Sequence, residues 1–107
     1  MIEVTAWSNG RPSSTGAGYG LKISETDRDR VFKRDWRSVQ INFPDGKVSI
    51  VNIEKASFWD RCRELISVEI GKWMLSNRFA PWPRGKPPKF VLLPRGDGVF
   101  DLKTPAM

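Results

Sequence analysis

Val39-Gln40-Ile41-Asn42-Phe43-Pro44-Asp45-Gly46-Lys47-Val48-Ser49-Ile50-Val51-Asn52-Ile53 is the stretch on which the fold class turns. Val39, Ile41 and Phe43 alternate with Gln40 and Asn42, the period of a strand with one buried face. Pro44-Asp45-Gly46 turns the chain, and Lys47 to Ile53, rich in β-branched residues, returns. The spacing predicts an antiparallel hairpin.

Working outward from it, Ile2 to Trp7 alternates as a first strand, and Leu21-Lys22-Ile23 as a second. Between them Ser8 to Gly20 is a run of Gly, Ser, Asn and Pro that reads as a loop. Thr26 with Asp29 three residues later is a capping-box-like start, so a short helix is expected from there to about Arg37. On the other side of the hairpin, Ser57 with Asp60 predicts the longest helix. Its apolar positions Phe58, Trp59, Cys62, Leu65, Ile66, Ile70 and Trp73 follow the three-four spacing of one face. Asn77 and the prolines from Pro81 close that helix. Phe90–Leu93 and Val99–Leu102 read as a final hairpin joined through Pro94-Arg95-Gly96-Asp97-Gly98. The order β-β-α-β-β-α-β-β is an α+β arrangement: a single domain over residues 1–107, mostly antiparallel sheet packed against one long and one short helix.

The composition narrows the chemistry. A chain of 107 residues with 39% apolar, 28% charged and 11% aromatic residues is globular rather than disordered. Its longest apolar run, Phe90 to Leu93, is far short of the roughly 20 residues a membrane helix needs, and Met1 to Val4 has no signal-peptide character. Cys62 is the only cysteine, so no internal disulfide forms, and a reducing, cytoplasmic setting is expected. The sequence has no histidine, which excludes imidazole triads and His-based zinc sites; no metal and no cofactor are expected.

A net charge of +6 is spread unevenly. On the expected first helix, Arg30, Lys33, Arg34 and Arg37 would share one face, a cationic stripe suited to tracking phosphates. A second basic region, Trp82-Pro83-Arg84-Gly85-Lys86-Pro87-Pro88-Lys89, places a tryptophan among cations, as in proteins that stack an unpaired base. These residues predict a small, non-enzymatic module binding DNA or RNA through the phosphate backbone. The alternative is a histidine-free enzyme acting on phosphoesters. In it Glu69, expected on the buried face of the long helix, or Tyr19 moves protons and Arg11 stabilises developing charge. The Gly/Ser loop reads as a mobile connection; the alternative, on its backbone amides, is a phosphate nest, although it matches no P-loop pattern. A third class is a protein-interaction or regulatory domain using the tryptophan-rich surface. The ligand reading requires both basic clusters to lie on one exposed surface.

Overall fold

The expected hairpin stands in the computed structural model, which describes residues 1–105. In chain order the elements are β1 (Ile2–Ser8), β2 (Tyr19–Lys22), α1 (Glu25–Val31), β3 (Ser38–Asn42), β4 (Val48–Asn52), β5 (Glu64–Ile66), α2 (Val68–Ser76), β6 (Lys89–Gly96) and β7 (Val99–Lys103). β3 and β4 pair from Ser38 with Asn52 to Asn42 with Val48, and the Phe43 amide closes the turn on the Lys47 carbonyl at 2.8 Å. The α+β class holds: one domain, mostly sheet, with two helices.

The strands form one seven-stranded sheet in the order β4-β3-β7-β6-β1-β2-β5. It is mixed rather than purely antiparallel, because Gln40–Asn42 of β3 run parallel to Val99–Asp101 of β7. The two edges curl toward each other, and the Ser49 hydroxyl of β4 lies 2.9 Å from Ser67 Oγ just after β5. The result is a nearly closed barrel. Alternate residues point inward, as the period-two pattern dictates, and bury Ile2, Val4, Leu21, Ile41, Val51, Leu65, Phe90, Leu92 and Phe100.

Two helix expectations are corrected. The first helix starts at Ser24, whose hydroxyl accepts from the Asp27 amide at 3.1 Å, and it stops at Val31. Phe32 is already extended (ψ 139°), which turns its ring onto Phe100, with centroids 5.0 Å apart, and onto Phe58. Burying that ring prevails over continued helix. The expected long helix from Ser57 is instead three pieces: a turn through Cys62, the unforeseen strand β5, and α2 capped by Ser67. Glu64 to Ile66 find ladder partners on Lys22 to Gly20, so the sheet supplies hydrogen bonds that a helix would have supplied locally. Cys62 is consequently exposed rather than in the core. The predicted stop is correct: Asn77 caps α2 and donates from Nδ2 to the Trp73 carbonyl at 2.8 Å.

The barrel has two distinct ends. At one, which holds α1 and the β6–β7 turn, Phe32, Trp36, Phe58, Trp59 and Phe100 fill the mouth. Arg28 is buried beneath them, donating to the carbonyls of Phe58 and Asp60 at 3.0 Å each and to Asp29 at 2.9 Å. At the other end α2 covers the opening, with Trp73 packed against Phe43, Phe79 and Phe90. The β3–β4 turn, the β1–β2 loop and the segment 80–88 gather around it, since β3, β1 and the start of β6 all point that way.

The Gly/Ser loop, expected as a mobile connection, is instead docked on the fold. Gly16 lies on α2, where a Cβ built on Gly71 would stand 2.0 Å from the Gly16 carbonyl oxygen. Only two residues without side chains permit that approach. Among the loop amides, those of Ser13, Thr15, Gly16 and Ala17 are bonded within the loop, so these do not converge as a phosphate nest.

Candidate functional site

The two basic clusters lie at opposite ends of the barrel, so the interface that the sequence predicts, which requires both on one exposed surface, does not form. Arg30, Lys33, Arg34 and Arg37 surround the α1 end, whereas Trp82, Arg84, Lys86 and Lys89 precede and open β6 at the other. β6 spans eight residues from Lys89 to the turn beside Trp36, a separation of roughly 23 Å at the rise of a strand.

With α1 ending at Val31, the first four cations do not form one helical stripe, and each has an intramolecular partner. Arg30 is 2.8 Å from Asp27, and Arg37 is 3.4 Å from Glu54. Lys33 sits 6.0 Å above the Trp36 ring, and Arg34 lies 4.9 Å from the Trp59 centroid, within the range of a cation–π contact.

The α2 end differs. Its loops and helix bring together Arg11, Lys47, Lys72, Arg78, Arg84 and Lys86, all exposed, against only Asp45 and Glu69. Among the described residues none of these six cations has a carboxylate within 4.0 Å; the same holds for Lys22, Lys33, Arg34, Lys55, Arg61 and Arg63 at the α1 end, so the two ends differ in the number of acids set among the cations. The six cations of the α2 end, with Asp45 and Glu69, sum to +4. At the α1 end, over residues 22–38, 52–64 and 95–98, ten cations stand against eight acids. Lys89 is 3.9 Å from Glu3 on the outer sheet face, both side chains well exposed. Trp82 is half-buried, with its ring centroid 5.8 Å from that of Tyr19, and the two line a small cleft with Ser8, Pro12 and Pro81.

The residues of the enzymatic alternative are not assembled. Glu69 is exposed in the first turn of α2 instead of buried, because α2 starts at Ser67 and presents Ile70, Trp73 and Met74 to the core. Its Oε1 accepts from the Ser49 hydroxyl at 3.0 Å. Tyr19 is buried and lines the Trp82 cleft, Glu69 lines a different one, and Arg11 lines neither. Among the described residues no three Cys, Asp or Glu side chains converge as a metal site requires.

Sequence reading missed Lys47, Lys72 and Arg78. No local motif marks them: one follows a turn, one lies on a helix, one follows its cap, and tertiary packing alone brings them to the same end. Among the described residues no helix is long and apolar enough to cross a membrane. No protein-family model, no curated protein and no solved structure matches the chain.

Proposed function

We propose that the α2 end of the barrel binds single-stranded nucleic acid, without catalysis, through backbone phosphates and base stacking. The observation that carries this reading is the charge balance at that end, six exposed cations against the two carboxylates Asp45 and Glu69, where the α1 end has ten cations against eight acids. Where acids are interspersed with the cations their fields offset and a phosphate gains little, whereas an excess of cations favours release of the phosphate's condensed counterions. Arg11, Lys47, Lys72, Arg78, Arg84 and Lys86 hold the backbone in this account, and Lys89 flanks them. Trp82, supported on one side by Tyr19 and stiffened by Pro81 and Pro83, offers its free surface to a base. Recognition is of backbone and stacking surface more than of sequence.

Titration of labelled DNA and RNA single strands at several salt concentrations tests this. With about four phosphates neutralised, log K against log salt should have a slope near −2.8. A flat response, or no binding at low salt, contradicts the proposal.

A further inference from the structure

A cleft of about 310 Å³ lies between α2 and the β3–β4 hairpin, at the same basic end but away from Trp82. Its apolar walls are Phe43, Val48 and Trp73, and its rim carries Asp45, Lys47, Glu69 and Lys72. A second hollow, lined by Pro44, Asn77 and Phe79, shares Asp45 and Trp73 with it, so the groove continues past the tryptophan. The size and apolar lining with a few polar groups are those of a small-ligand pocket.

The rim specifies the ligand. The Lys47 and Lys72 ammonium groups have no carboxylate within 4.0 Å among the described residues and suit an anionic group. Asp45 and Glu69 each give one oxygen to an internal donor, the Lys47 amide at 2.9 Å and the Ser49 hydroxyl at 3.0 Å. Each carboxylate keeps a second oxygen as an acceptor for N–H groups. A fatty acid or simple aromatic acid brings no such donors and is repelled by both carboxylates. A nucleotide brings a flat ring, N–H donors on the ring's edge, and a phosphate. Val48 supplies uncovered apolar surface: it is 47% exposed on the edge strand β4.

We infer that this cleft is a base-binding pocket for one nucleotide of a bound strand. The ring lies against Val48 and Trp73, its N–H groups face Glu69 or Asp45, and its phosphate sits between Lys47 and Lys72. The inference rests on the nucleic-acid reading of this end of the barrel. The shared groove past Trp73 gives the strand a way out, so the ligand is a nucleotide unit within a chain.

The test is an amide NMR titration of the whole protein with nucleoside monophosphates, with inorganic phosphate, with unphosphorylated nucleosides, and with a short single strand. Residues 47, 48 and 69–73 should shift with monophosphates, which should bind about tenfold tighter than either fragment alone. Val48→Asp should weaken monophosphate binding at least tenfold. Ile50→Asp, the same charge change at the next outward position of β4 and 60% exposed, should not. Unshifted cleft amides, equal effects of the two variants, or phosphate binding as well as a nucleotide would each overturn the pocket. If the single strand still binds with its salt dependence in those cases, the wider reading survives; if nothing binds at low salt, both fall.

Discussion

Replacing Arg28 with methionine should lower stability by about 3 kcal/mol, because the guanidinium makes two charge-assisted bonds to carbonyls that no other described donor reaches. The side chain is only 5% exposed, so water cannot take its place without opening the α1 end. Methionine preserves the apolar stem, which isolates the loss of hydrogen bonds from the loss of volume. In a domain of this size that loss is a fall in Tm of roughly 15 °C. Arg28→Lys should fall between, since one ammonium cannot reproduce the guanidinium's fork toward Phe58, Asp60 and Asp29. Thermal unfolding of the three proteins checks the claim. A methionine variant within 3 °C of the parent contradicts the view that Arg28 fastens α1 to the 58–60 turn.

The second large effect is at Gly71. Glycine to alanine inside a helix normally stabilises by about 1 kcal/mol. Here the sign should reverse, to a net loss of about 2 kcal/mol, because the added Cβ would lie 2.0 Å from a backbone oxygen that has no rotamer with which to yield. The helix and the loop carrying Gly16 must part. Gly85→Ala is the control: its φ of +76° strains alanine, but nothing lies within 4 Å of the new Cβ, so about 1 kcal/mol is expected. Alanine at 71 that raises Tm would show that the loop is not seated on α2, and with it the placement of Arg11 at the basic end would lose its basis.

Both hairpins, the first two strands and the end of α2 were legible because each rests on local chemistry: alternation, a Gly/Pro turn, a capping asparagine. The true caps, Ser24 and Ser67, were missed: the hydroxyl of each accepts from the amide three residues on, a bond that only the structure shows. Thr26 with Asp29 and Ser57 with Asp60 carry the capping-box spacing that drew the expected starts elsewhere. The three-four spacing from Phe58 to Trp73 misled for a physical reason: Leu65 is buried by β pairing and Ile70 by helix packing, and the two periods happen to coincide. The site was legible in part. Trp82, Arg84 and Lys86 belong to a contiguous basic segment, whereas Lys47, Lys72 and Arg78 join them only through topology. The Arg30 to Arg37 run lost its regularity when Phe32 left the helix to meet Phe100.

The most direct measurement compares two double charge reversals, Arg84→Glu with Lys86→Glu at the α2 end, and Lys33→Glu with Arg37→Glu at the α1 end. Both lower the net charge by the same four units, so an effect of overall charge alone would move them equally. The account predicts that the first pair reduces the magnitude of the salt slope for single-stranded nucleic acid by about 1.4, two phosphates' worth, while the second leaves it unchanged. Equal losses in both proteins, or a loss only at the α1 end, would contradict it.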